Sequence, residues 1–598
     1  MSMNMGKVVY WHKNQAIIRL KSQPAQSTSP VHTIETITTV IFAQIKTILK
    51  DLNLDMQLIG NPLLLLPTAM LLPPHSSIHS ADNLDLVFFT HVTPSNMKPD
   101  MGPAQGNAGT ADMGNDDHTV AVINQLNDNK NALQKALQDL GISADIAALP
   151  HWLWAGTDDQ IHGCPTCPPI PVEDSNTPGQ WKITLPQLSD SSLQDKTGEG
   201  VTVFVLDTLP STEQIERAAK NAGNNLLLQK MTTSKANGPQ PDIVPPAIKP
   251  NYSFGVPDPA ESAVTGKDIY GRLVGFPMAD HGLGVAGIIR DLAPAANIEC
   301  IRVLNDYGVG DTHTLFLALL SIQERMLPNN LDTHAVGDLY RKPVVINLSL
   351  VVLPPDSDSP PEGVTGDVID ASRDLLRSAI QNLAGAGVIF VASAGNDSDP
   401  RDTKMNPAET RFGPRYPANF AYDNPPITTM IPVAAVNRKG DAAMYSNHPG
   451  PNGIATYSGE LPRPDPWLPS AMSHVATRVA EPIDALRCVY TAQVYPALSV
   501  NDPHSILPAS PSAYPMYEAS STWAYWSGTS FATPIISALA ARILQGREPK
   551  SIDVRQAVIN ATTQQTMWTG VGDAKEDISS PMIMAVQEWQ SANDTLIS

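Results

Sequence analysis

With 598 residues, 42% of them apolar and only 16% charged, the chain can bury a sizeable core and lacks the profile of a disordered protein. Its 39 basic against 59 acidic residues give a formal charge of −20, which argues against nucleic acid as a partner and mildly favours basic or neutral substrates. Four cysteines in so long a chain do not make a disulfide scaffold.

The N-terminus, MSMNMGKVVYWHKNQAIIRL, has neither a continuous apolar stretch nor a cleavage signature, so no secretion signal is recognisable. The most apolar run, NPLLLLPTAMLLPP, is broken by prolines and shorter than the ~20 residues a membrane span takes. The expected location is the cytoplasm, with a non-standard export route left open. KVVYW and AIIRL read as strands. The next segment places Ile34, Ile37, Ile41, Ile45, Ile48 and Leu52 at spacings of three and four, which predicts a helix with one apolar face. A further strand, LDLVFF, completes a small α/β module over 1–100.

Residues 98–117 are rich in Gly, Asn and Asp and read as a linker. A helix near 120–140, LPHWLWAG and a Pro-rich stretch fill the remainder of a connecting region over 101–180. There Cys164 and Cys167 stand in HGCPTCPP beside His162; a zinc site needs about four ligands and no second pair exists, so two loop thiols are expected and no metal ligand is assigned. No internal repeat is present.

From 181 to 598 buried strands alternate with helices: VTVFVLD, IECIRVL, PVVINLSL and GVIFVASAG, separated by helices after His281, through TLFLALLSIQERM and through DVIDASRDLLRSAIQNLAGAG. This predicts an α/β fold with a mostly parallel sheet covered on both faces, whose chemistry gathers at the carboxyl ends of its strands. Asp207 stands at such an end. His281 opens an apolar helix whose Gly284, Ala286 and Gly287 permit close packing. Asn396 follows a buried strand and could donate to an oxyanion. Ser530 lies at the start of the apolar helix of WSGTSFATPIISALAARIL, where a hydroxyl serves equally as an N-cap or as a nucleophile. Each residue alone reads as an ordinary cap, turn or core residue; in the order Asp, His, Asn, Ser they point to acyl-transfer chemistry.

Over about 180–570 the sequence resembles the subtilisin-like serine proteases, the subtilase family. GTSFATP matches the family's nucleophile motif, HGLGVAGII its histidine motif in part, VTVFVLDT its aspartate motif and VASAGN its oxyanion segment. The resemblance implies a three-layer fold and a serine endopeptidase with Asp207, His281 and Ser530 as triad and Asn396 in the oxyanion hole. A protein or peptide substrate would lie as an added strand between Gly308–Gly310 and Ser349, Leu350 and Val351. Val351 stands where the family usually has Gly, which would narrow the pocket, and Asp397 hints at a basic residue before the scissile bond. No cofactor is required on this reading, and calcium stays open. Two positions depart from the family: Leu209 and Pro210 follow Thr208 where Gly is usual, and Leu283 replaces Thr after the His-Gly pair. They leave an alternative of another class, a catalytically idle binding or scaffold protein. An esterase of the α/β-hydrolase type is disfavoured, since no GxSxG surrounds Ser530. The stretch 456–520 is expected as an insertion and 353–366 as a shorter loop. The first 180 residues are either a propeptide-like segment, cut in the linker or within 157–180, or an accessory domain that stays attached. Nothing in the sequence indicates an oligomeric state.

Overall fold

In the computed structural model the described residues are 11–22, 32–65, 77–78, 85–95, 117–155, 170–172, 177–221, 224–232, 246–257, 278–306, 308–328, 336–352, 360–398, 411–460, 483–491, 522–571 and 576–592. Cys164, Cys167, most of the 98–117 linker, and 461–482 and 492–520 of the expected insertion lie outside them.

Up to residue 155 the strands are β1 (Trp11–Ser22), β2 (His32–Thr33), β3 (Leu54–Leu58), β4 (Leu63–Leu64), β5 (Ser77–Ile78), β6 (Asp85–Pro94) and β7 (Ala144–Ala155). β7, β1, β6 and β3 form an antiparallel sheet in that order. The expected helix forms as Ile34–Leu49, begun by the Thr33 hydroxyl accepting from the Thr36 amide, and it buries Ile34, Ile37, Ile41, Ile45 and Ile48. Leu52 is the exception. The helix gives way to a 3-10 turn that ends at Asn53 in the left-handed region, and the turn carries Leu52 off the apolar face and leaves it 37% exposed.

Beyond residue 155 come β8 (Ile170–Pro171), β9 (Gly179–Thr184), β10 (Thr202–Asp207), β11 (Lys249–Asn251), β12 (Asn297–Arg302), β13 (Val309–Asp311), β14 (Val344–Leu348), β15 (Ile389–Ser393), β16 (Met430–Val436), β17 (Ile454–Tyr457), β18 (Leu486–Val489), β19 (Trp523–Trp526), β20 (Gln564–Val571), β21 (Glu576–Ile583) and β22 (Val586–Ser591). Nine of them build one sheet in the order β11-β12-β10-β14-β15-β16-β17-β21-β20, parallel throughout except for the last pair. All four strands anticipated in this half are in it, and the α/β class with a mostly parallel sheet is what the structure shows.

Strand alternation sends neighbouring side chains to opposite faces. Val203 and Val205 of β10 join a core with Leu283, Ile288, Ile535 and Leu539, from the helices His281–Leu292 and Thr529–Leu544. Phe204 and Leu206 join a second core with Leu315, Phe316, Leu375 and Leu383, from the helices Thr312–Arg325 and Gly366–Ala386. The result is three layers. The second core runs on without a break into Ile17, Phe88 and Trp152 of the N-terminal sheet. Arg19 reinforces that junction: buried in β1, it donates two bonds to Asp85 and one each to Asp374 and Ser378 on the Gly366 helix. Trp152 Nε1 likewise donates to Ser372 Oγ at 2.8 Å.

Candidate active site

Asp207 ends β10 and His281 begins its helix, and both are buried. His281 Nδ1 lies 2.8 Å from Asp207 Oδ1, which also accepts from the Thr208 amide at 2.7 Å. The approach depends on Gly282. A Cβ there would lie 2.1 Å from the Thr208 carbonyl and 2.8 Å from Asp207 Cβ, closer than any side chain tolerates. Thr208 Oγ1 accepts from the Gly282 amide at 3.1 Å and faces the Met278 and Ala279 carbonyls, 3.0 Å from each, so it joins the loops carrying Asp207 and His281. Leu209 and Leu283, the two departures from the family pattern, are buried in the core that backs the site. They supply packing where small or polar residues are usual and displace neither Asp207 nor His281.

Ser530 is the second residue of the Thr529–Leu544 helix and is buried. Gly528 precedes the helix with φ 144°, a conformation that favours glycine. Ser458 Oγ holds that glycine on both sides, donating to its carbonyl at 2.7 Å and accepting from its amide at 3.1 Å. The structure sets the His281 ring against the residue that follows Ser530: the imidazole packs edge-on against Phe531, with ring centroids 4.9 Å apart, and against Trp526 at 5.8 Å. It does not join Ser530 to His281 by a hydrogen bond. Ser530 Oγ donates to the Ser349 carbonyl at 3.2 Å, while His281 Nε2, fully buried, has no hydrogen-bond partner among the described residues.

Asn396 Oδ1 accepts from the Thr529 amide and hydroxyl, both at 2.9 Å. A backbone N–H can only donate, so the orientation of this amide is fixed and its Nδ2 is the end able to donate elsewhere. Ser349 is tied inward. Its hydroxyl donates to the Ser530 carbonyl at 2.7 Å and accepts from Asn347 Nδ2 at 2.9 Å, and Asn347 is held in turn by Ser537. This side chain therefore braces the helix that carries Ser530 and is not free to reach outward. Leu350 and Val351 are buried beside it. Asp397 corrects the hint about basic residues: it is 3% exposed and occupied by Arg415 Nε and Asn447 Nδ2, each at 2.7 Å.

The edge formed by Gly308–Gly310 is taken. β13 pairs antiparallel with β7, setting Val309 opposite Ala155, Gly310 opposite Trp154 and Asp311 opposite Leu153. A Cβ at Gly310 would sit 2.6 Å from the Trp154 ring, so glycine is what lets the indole in. Of the four cysteines, Cys300 and Cys488 are described; both are buried free thiols, and burial pushes the Cys300 thiol up to about 12, out of the range of a nucleophile.

A model of the subtilase family matches residues 198–580, more than half of the chain. No curated protein matches. Among solved structures, a cold adapted subtilisin-like serine proteinase is 15% identical over 65% of this chain and 89% of its own, with a TM-score of 0.33. A lanthipeptide protease is 16% identical over 63% and 85%, with a TM-score of 0.33. A structure of proteases from Pseudoalteromonas arctica is 19% identical over 64% and 86%, again with a TM-score of 0.33.

Proposed function

The chain belongs to the subtilase family and is a subtilisin-like serine endopeptidase, and from that premise we propose that it works through Asp207, His281 and Ser530 and is made as a precursor restrained by its own N-terminal sheet. The observation that carries the catalytic part is the buried imidazole: Nδ1 is engaged by Asp207 while Nε2 is left without a partner. A buried nitrogen without a partner calls for a reason. Asp207 accepts the Nδ1 proton and thereby leaves a lone pair on Nε2, the form a general base needs.

Ser530 Oγ turns about its Cα–Cβ bond from the Ser349 carbonyl toward Nε2, gives up its proton there and attacks the scissile carbonyl. The imidazolium that results is stabilised by Asp207. The oxyanion that forms is met by Asn396 Nδ2 and by the Ser530 amide, which lies in the first helical turn, where amides lack intrahelical acceptors. His281 then returns the proton to the leaving amine. The Ser530 acyl ester is hydrolysed by water along the same path in reverse.

The restraint follows from β7. An extended substrate is gripped by adding a strand to an exposed edge, and β7 already fills the edge of β13. On this reading the chain is cut within 157–180, most of which lies outside the described residues, and the N-terminal sheet then dissociates. While the sheet is docked, that edge is closed to an extended substrate. Among the described residues no helix is long and apolar enough to cross a membrane.

The test is labelling by a fluorophosphonate probe of full-length protein and of its Ser530→Ala variant, followed by intact mass. Labelling of the wild type alone, with a Ser530-dependent cut before residue 180, is the expected result. Absence of labelling in both, even after the N-terminal segment is trimmed by another protease, overturns the catalytic assignment in favour of a binding or scaffold role.

A further inference from the structure

We propose that His12, His151 and Asp311 form a binding site for one divalent transition-metal ion of the zinc class, which fastens the N-terminal sheet to the edge of the substrate groove. The two histidines stand on β1 and β7, whereas Asp311 ends β13 and is 299 residues from His12. Folding brings one donor atom from each to within 4.8 Å of the others, in a setting where His151 and Asp311 are buried and His12 nearly so. His12 Nε2 lies 3.2 Å from Asp311 Oδ2, and His151 Nε2 lies 3.6 Å from Asp311 Oδ1.

Protonation states single the site out. The His313 amide donates to His151 Nε2 at 3.3 Å, and an N–H can only donate, so Nε2 of the neutral ring carries a lone pair. The proton therefore sits on Nδ1, 2.7 Å from Gln15 Oε1, which accepts it. A ligating histidine is typically anchored in this way, with its far nitrogen donating to an acceptor. Asp311 Oδ1, 3.6 Å away, caps the Thr314 amide at 2.7 Å, so an ion entering here takes the Nε2 lone pair over from the His313 amide and draws on Oδ2, the carboxylate oxygen that faces His12 Nε2. Among the described residues the basic side chains paired with Asp311 are His12 and His151, with no lysine or arginine between them. A proton or a metal ion can therefore bridge the three side chains.

Two imidazoles and one carboxylate suit zinc or cobalt and not calcium, which prefers an all-oxygen shell. Ligand bonds of about 2.0–2.2 Å require the three side chains to draw in modestly, with water as a fourth ligand. Because β7 is the strand paired to β13, an ion here ties the inhibitory strand to the catalytic body beside Gly310. That consequence rests on the restraint proposed above, whereas the metal site stands on its own geometry.

The experiment uses full-length Ser530→Ala protein, stripped with a chelator and titrated with Zn2+ and with Co2+. One equivalent of ion per chain, a visible Co2+ absorption of tetrahedral type, and loss of both in His12→Ala/His151→Asn are expected. A His12→Cys variant guards against misfolding of the double variant: it should retain one Co2+ and add a thiolate charge-transfer band in the near ultraviolet. No stoichiometric binding, binding unchanged in the double variant, or Co2+ bound to His12→Cys without the sulfur band overturns the proposal and leaves a proton as the bridging charge. Fluorophosphonate labelling of the wild type is read separately, so failure of the catalytic assignment and failure of the metal site are told apart.

Discussion

Replacing Trp154 by alanine should open the substrate groove. Its indole is fully buried, lies against Gly310 across the β7–β13 pair, and borders the same small cavity as Phe316, Val352 and Tyr416. Truncating a buried Trp to Ala costs ~3–5 kcal/mol. Part of that loss falls within the N-terminal sheet and part across the junction; if about half is felt across the junction, docking weakens by ~2 kcal/mol, and at 1.36 kcal/mol per decade the ratio of covered to open groove falls ~30-fold. The rate at which a fluorophosphonate labels Ser530 in the uncut chain should rise by the same ~30-fold, read by intact mass at early times before processing. A thermal melt on the Ser530→Ala background reports the stability lost. Labelling at the wild-type rate in a variant that shows the lower melting temperature would refute the reasoning, because Trp154 would then pack without covering the groove.

Two further outcomes are expected. Asn396→Ala removes the proposed side-chain donor to the oxyanion and should lower kcat by ~100- to 1,000-fold with KM little changed; a comparable rise in KM with kcat preserved would place Asn396 in ground-state binding instead. Burial pushes the Asp280 carboxyl, next to His281, up to about 7, against the pull of the bond from the Thr491 amide. The folded state therefore holds a proton that the unfolded chain gives up near pH 4, and stability falls as pH rises from about 4 through 7, by as much as ~4 kcal/mol at 1.36 kcal/mol per unit. Asp280→Asn should stabilise the protein at pH 8 and change little at pH 4.5, as measured by denaturant midpoints; an equal effect at both values would exclude this titration.

The residues proposed for catalysis were legible because each stands where an apolar run meets a loop: Asp207 at the end of β10, Asn396 after β15, and His281 and Ser530 at the first turns of buried helices. Local pattern carries such positions, and the same pattern carried the four central strands. Leu209 and Leu283 looked like defects in the sequence because a motif compares residues position by position, whereas burial shows them serving the core. Three features left no local trace. The β7–β13 pair is made of main-chain bonds that impose little on side chains beyond glycine at 310. The braces Ser458 and Ser349 are ordinary serines until folding sets them beside Gly528 and Ser530. His12, His151 and Asp311 come from distant segments, and no spacing rule joins them.

The pairing of β9 with β22 brings Gly179 opposite Ser591, while β8 adds to the edge of β19. The strand that opens at Gly179 and the last described strand are thus zipped side by side. A peptide linker joining their paired ends, with new termini opened in an exposed loop elsewhere, should yield a circularly permuted enzyme. A cut that releases the N-terminal sheet would leave the strand from Gly179 in place, because it is already stitched to the last described strand.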